Sequence, residues 1–253
     1  MEPSLIGGSL SIGLIVYAIV VVFLAGIVRG YTGFGFSALV MLSISLMLPP
    51  STVVPMLLLL EVAASIHMLP SVWRDIDRRA IAWLSLGSLV SVPLGLYVLT
   101  SLPEAEMRII ISLMVLGATL LLWRGFRFPA KGRTGLSLTT GLVSGGMTGA
   151  GGIGGLIVVV MFLSISAPVA VVRATLVAFL MLTDIYTLAL ASAFDLLNLS
   201  IFIMAGAMLP PLFAGVAVGR HVFAITTPAA FQRFVLILLA LLSVAGIVRA
   251  VLV

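Results

Sequence analysis

Four ionisable residues stand inside apolar runs of this sequence. Glu61 lies in PMLLLLEVAASIHML, Asp184 in LVAFLMLTDIYTLAL, Arg173 in APVAVVRATLVAFL and Arg29 in GIVRGYTGFG. Ionisable groups in such surroundings mark substrate pathways or proton relays. A carboxyl group held away from water can take up and release a proton as its neighbours change, which suits Glu61 and Asp184 to coupling transport to protons. A guanidinium offers planar, bidentate hydrogen bonding to sulfonate, sulfite or carboxylate, which suits Arg29 and Arg173 to binding an anion. Arg173 and Asp184 fall on one helix face, about 16 Å apart along the axis. They cannot pair directly, but they can line one cavity. A plainer reading stands beside each: Arg29 as a charge at a membrane boundary, the carboxylates as partners of arginines on neighbouring helices. His67 lies near a helix end, where an interfacial role suits it better than a relay; Tyr31 and Tyr186 are further candidate cavity hydroxyls.

Two glycine phrases surround these charges, GIVRGYTGFG at Gly26–Gly35 and GLVSGGMTGAG at Gly141–Gly151. Glycine adopts positive φ without steric cost and lets a backbone approach a ligand closely. A break in a helix frees amides at the start of the next segment, where the helix dipole attracts anions. In lipid such a break survives only inside protein or beside an aqueous cavity. Gly33, Gly35, Gly149, Gly151 and Gly152 are therefore candidate anion contacts, with the hydroxyls of Thr32, Ser37 and Thr148 as added donors. Two such breaks facing one another near the bilayer midplane would form a transporter's substrate site. The alternative is packing, because Gly26–Gly30 and Gly141–Gly145 are both GxxxG spacings that let membrane helices touch.

The elements that carry these residues must sit in a bilayer. Of 253 residues, 62% are hydrophobic and 8% charged, against roughly a quarter charged in soluble domains, and mean hydropathy is +1.35. The chain is a membrane protein whose surrounding partner is lipid. Cysteine is absent, which excludes disulfides and thiolate chemistry. Two histidines and no HExxH motif argue against a metal site, and the lack of GxxxxGK[ST] argues against ATP hydrolysis by this chain. No cofactor is expected. The net charge of +5 fits basic cytoplasmic loops better than a nucleic-acid partner. The N-terminus lacks the features of a cleaved secretory signal and reads as retained.

A crossing helix needs about 20 apolar residues. Full-length candidates lie near 8–28, 52–70, 80–100, 105–123, 168–192, 199–219 and 230–251, with shorter runs near 33–48, 134–148 and 150–164 that abut the glycine phrases. TSLPEAEMRII at Thr100–Ile110 resembles ITTPAAFQRFV at Ile225–Val235, and Gly87 and Gly206 occupy similar places ahead of them. The reading is an all-helical membrane domain of two homologous halves, 8–124 and 134–251, joined by a basic loop at 125–133. Five segments per half place Arg29, Arg74, Arg78, Arg79, Arg124, Arg127, Lys131, Arg133, Arg220 and Arg233 on one side. Positive residues favour the cytoplasm, so the halves are inverted and both termini face outward. A parallel 4+4 arrangement of eight helices is the alternative.

The paired phrases, the Pro103/Arg108 and Pro228/Arg233 spacings and the basic central loop together resemble the sulfite exporter TauE/SafE family, also called TSUP, over essentially the whole chain. The resemblance implies a multi-pass transporter in a prokaryotic inner membrane, not an enzyme, carrying sulfite, sulfoacetate, thiosulfate or an organosulfonate on a proton or ion gradient. Phe36 stands where the second copy has Gly152, so the two halves need not contact substrate equally. The residues alone reach a secondary transporter for a small anion. A cation- or proton-coupled carrier of another metabolite is the runner-up, and a membrane enzyme or scaffold subunit a more distant one.

Overall fold

The computed structural model describes the backbone of residues 12–125, 133–225 and 228–252. The N-terminal stretch and most of the basic central loop lie outside the described residues, as does the side chain of Arg233. The described chain forms ten α-helices: α1 (Ile12–Thr32), α2 (Phe36–Ile44), α3 (Pro50–Val72), α4 (Arg78–Ser101), α5 (Glu104–Trp123), α6 (Arg133–Gly151), α7 (Gly155–Ser164), α8 (Val169–Ala193), α9 (Leu199–Ile225) and α10 (Pro228–Leu252). A single 3-10 turn, Trp73–Asp75, follows α3. Six of the helices, α1, α3, α4, α5, α8 and α9, are long and apolar enough to cross a membrane, and Gly155–Ser164 and Val235–Val251 are shorter apolar segments.

Helix starts follow local chemistry. Pro49, Pro103 and Pro168 occupy the N-cap positions of α3, α5 and α8, where a fixed φ costs nothing and no intrahelical amide is lost. Asp77 caps α4 by accepting the Ala80 amide at 2.9 Å, a standard use of a short acidic side chain. Large apolar side chains on the outside of the bundle, such as Val16 on α1, Val90 and Leu94 on α4, and Ile203 on α9, are half or more exposed. That is how a surface solvated by lipid tails differs from one solvated by water. The interior meanwhile holds Arg29, Glu61 and Asp184 at 1% exposure or less.

α2 and α7 are buried elements rather than crossings. Every residue of α2 is buried, as are nearly all of α7. Both fold back along the helix before them. Tyr17 lies about 22 Å before the end of α1 and Ser43 about 10 Å into α2, yet the Tyr17 hydroxyl donates to the Ser43 carbonyl at 3.1 Å. A chain continuing straight would hold them more than about 30 Å apart. In the same way Leu136 and Ser137 of α6 line one cavity with Met161 and Phe162 of α7. Each glycine phrase thus leads into a hairpin of one long and one short helix.

The main packing pairs are α4 with α6, α1 with α9, α3 with α8 and α5 with α10; α2 also meets α10 and α7 meets α5. This pattern maps onto itself when α1–α5 are exchanged with α6–α10. α3 and α8 run together through the middle. The close pairs depend on glycine: a Cβ on Gly26 would stand 2.9 Å from the Leu212 carbonyl oxygen, and one on Gly30 would overlap that of Val216. On the other side Gly141, Gly145 and Gly149 meet the backbone of α4 near Leu84, Ser88 and Val92. The first glycines of each phrase therefore pack helices, as small residues do in membranes.

Two sequence expectations shift here. The run near 134–148 belongs to a helix of 19 residues, α6, and not to a shortened segment, because its glycines are absorbed by contact with α4. Gly206 has open space around it, whereas Gly87 abuts the α6 backbone. By contact, the counterpart of Gly87 is Gly215, which meets Gly26 as Gly87 meets Gly141.

Candidate functional site

The two breaks are real, but they fall at different points of the repeated phrase. In the first copy α1 ends at Thr32, and Gly33 and Gly35 take φ of 82° and 86° before α2 begins. In the second, Thr148, Gly149 and Gly151 remain within α6, and the turn falls on Gly152, at φ 67°. Only glycine adopts these angles without strain. The extra glycines of GGIGG let the second break slip past the phrase. Gly149 consequently packs against Val92 of α4 instead of lining a break.

Hydroxyls at the tips are engaged with the tips themselves. Thr32 Oγ1 accepts the Phe34 amide at 3.1 Å and lies 2.7 Å from the Phe34 carbonyl and 2.8 Å from that of Val28, to either of which it can donate. Thr148 donates to the Ser144 carbonyl at 2.9 Å, and Ser144 in turn donates to the Gly154 carbonyl at 2.9 Å. These bonds hold the turns. Neither α2 nor α7 has a side-chain cap at its N-terminus.

Arg29 is the centre of the first tip. It is fully buried and forms a 2.9 Å ion pair with Glu61 of α3. It also donates to the Gly33 carbonyl and to Ser65 Oγ, both at 3.0 Å. Ser37, in the first turn of α2, donates to the other oxygen of Glu61. One guanidinium thus ties α1, the break and α3 together, while Glu61 ties α3 to α2. Ser65 was not among the residues expected from sequence; the signal was its place one turn after Glu61, on the face that an arginine with several donors must satisfy.

Arg173 meets the same tip from α8. It donates to the Gly30 carbonyl at 3.0 Å, and its Cγ lies where a Cβ on Gly33 would stand 2.9 Å away. It is partly exposed and lies within electrostatic reach of Arg29 and Arg220. Asp184, further along α8, is 1% exposed and lies within electrostatic reach of Glu61 and Arg29. Its Oδ2 has no hydrogen-bond partner.

The second tip reaches α3 and α8 too. A Cβ on Gly152 would press on Leu57, and one on Gly155 on Leu180. Leu57, Glu61 and Ser65 share a face of α3 at one-turn spacing, so the tips are about 12 Å apart along that helix with Glu61 between them. Arg173 and Leu180 give about 10 Å along α8. Three cavities, of about 360, 430 and 230 Å³, are lined mainly by α4 and α6 with α7, by the α3–α4 connection with α8, and by α4 with α8. No residue of either break is among their lining residues.

The sequence model of the sulfite exporter TauE/SafE family matches residues 18–246. The chain belongs to the TauE/SafE family. No curated protein and no solved structure matches it. As a TauE/SafE protein it is a multi-pass membrane transporter for sulfur-containing anions and not an enzyme. The match spans both glycine phrases and Arg29, Glu61, Arg173 and Asp184.

Proposed function

We propose that this TauE/SafE protein moves a small sulfur-containing anion, of the class of sulfite, thiosulfate, sulfoacetate or an organosulfonate, across a prokaryotic inner membrane on an ion gradient. The observation that carries the reading is Arg29: a guanidinium at zero exposure, beside a helix break, held by a single carboxylate. A permanently charged group so placed is costly and has a use where an anion must lose its water. The substrate sits between the tips, held by Arg29 and Arg173, Ser37 and the uncapped first-turn amides of α2 and α7. Gly33, Gly35 and Gly152 let those amides approach it. Thr32 and Thr148 contribute by fixing the shape of the tips.

The halves 8–124 and 134–251 are inverted repeats in this reading, with basic loops in the cytoplasm and both termini outside. The exchange symmetry of the packing and the two hairpins leading into α3 and α8 support two equivalent halves, and five segments in each half turn the second over relative to the first. Inversion points the tips toward each other from opposite sides, as alternating access requires.

The test is uptake of radiolabelled sulfite into vesicles containing the purified protein, with unlabelled thiosulfate, sulfoacetate, phosphate and acetate as competitors. Saturable uptake suppressed by the sulfur anions, and little by phosphate or acetate, is expected. Uptake equal to that of protein-free vesicles overturns the proposal.

A further inference from the structure

The buried centre holds one cation and two carboxyl groups. Arg29 neutralises Glu61 directly; Asp184 shares the field of both and has an oxygen with no partner. Among the described residues no other charged group replaces Arg29 there; Arg220 of α9 lies within electrostatic reach of Arg173. α2, α7 and the described side chains of α6 carry none, the charged residues of α4 lie in its first turn, and His67 of α3 is exposed and packed against Phe213. Arg173 is turned toward Gly30 and Gly33 of the tip. An ionised carboxylate without a partner costs several kcal/mol in such a place, so the resting centre is neutral only with a proton on Asp184.

An anion arriving at Arg29 upsets that neutrality. It must displace Glu61, and Glu61 cannot remain ionised beside it, because two anions would then share one guanidinium. Resting on the reading of this site as the substrate site, we propose that the anion and Glu61 exchange places on Arg29, with Asp184 handing Glu61 its proton and being reloaded from solution. The charges balance. The empty centre contains Arg29 positive, Glu61 negative and Asp184 neutral; loaded with a monoanion it contains Arg29 positive, the anion negative and both carboxyls protonated, and the second charge of a dianion such as thiosulfate is met by Arg173 of the same tip. One proton enters with each anion and leaves with it, so proton and anion travel in the same direction.

Protonation of Glu61 also releases its ion pair with Arg29 and weakens its bond from Ser37, two of the ties that hold α1 and α2 to α3. Loading therefore loosens the first tip at the moment the substrate is bound. Asp184 follows Thr183, which with Ser85, Ser88 and Tyr186 lines the 230 Å³ cavity between α4 and α8. Thr183 Oγ1 and Ser85 Oγ are buried without partners. The cavity has room for several waters, which gives reloading protons a route to this part of α8.

The test uses vesicles containing the whole protein and radiolabelled thiosulfate, which stays anionic across the pH range applied. Wild type should accumulate thiosulfate against its gradient when the other side is acidified. Asp184→Asn, compared at matched folded protein, should lose at least about nine-tenths of that accumulation, and Asp184→Glu should restore it. Retained pH-driven accumulation in Asp184→Asn, or accumulation driven by sodium and indifferent to pH, overturns the coupling scheme while leaving the transporter reading intact. Absence of any thiosulfate exchange in wild type removes the substrate reading, and this inference with it.

Discussion

Arg29 of α1 and Glu61 of α3 form a 2.9 Å ion pair with neither side chain more than 1% exposed. Both ends of that pair have a second tie, Arg29 to Ser65 and Glu61 to Ser37. The pair joins α1 to α3, and through Ser37 joins α2 to α3 as well.

The two carboxyl groups should back each other up. In Glu61→Gln, Asp184 can lose its proton and compensate Arg29; in Asp184→Asn, Glu61 already does so. Each single variant is expected to unfold within about 1–2 kcal/mol of wild type, whereas Glu61→Gln/Asp184→Asn leaves a buried guanidinium unpaired and should lose about 3–5 kcal/mol. Denaturation in detergent of the four proteins measures this. Strict additivity would show that Asp184 does not share the centre.

Glycines of the two kinds should respond differently to alanine. Gly30→Ala and Gly149→Ala put a methyl into the backbone of Val216 and of Val92, and should cost about 1–3 kcal/mol through separation of the packed helices. Gly146 and Gly206 have open space, so their alanine variants should be neutral or stabilised by up to about 1 kcal/mol through helix propensity. Thermal denaturation of the four variants checks the contrast.

At the breaks the cost is conformational. Gly35→Ala, at φ 86°, should lose about 1–2 kcal/mol from the left-handed backbone alone. Gly33→Ala, at φ 82°, should carry a similar backbone cost and also sets a methyl against Arg173 Cγ, so its loss of transport should exceed what its loss of stability accounts for. Comparing flux with melting temperature for the pair separates the two.

Arg108 fixes the far end of α2. Its Nε donates to the Ser45 carbonyl at 2.7 Å, while its ion pair with half-exposed Glu104 spans 3.2 Å. Arg108→Gln should destabilise by about 1.5–3 kcal/mol through the lost charged hydrogen bond to a helix end. Glu104→Gln should change stability by less than about 1 kcal/mol. Equal effects would mean that the ion pair, and not the cap, matters.

Much of this arrangement is legible in the sequence because membrane burial leaves few explanations for a polar residue. Glu61, Asp184, Arg29 and Arg173 stand out against apolar neighbours, and repeated glycines announce both packing and interruption. What sequence could not supply was the division between those two roles. Gly149 and Gly152 lie three residues apart in one glycine-rich run, yet one packs α4 and the other turns the chain, since the choice depends on which helix stands opposite. The partner glycine Gly215 was invisible for the same reason. Thr32 and Thr148 looked like ligand donors because a hydroxyl beside a break can bind either a substrate or its own backbone, and only geometry shows which backbone oxygens lie within reach.

The most direct measurement of the central claim, that the anion passes the Arg29–Arg173 tip, is sulfite exchange across vesicles bearing wild type or Arg173→Gln at matched folded protein. The account predicts saturable exchange in wild type and a loss of roughly tenfold or more in the variant, the effect of one charged hydrogen-bonding contact. Exchange at the wild-type rate in Arg173→Gln would contradict it.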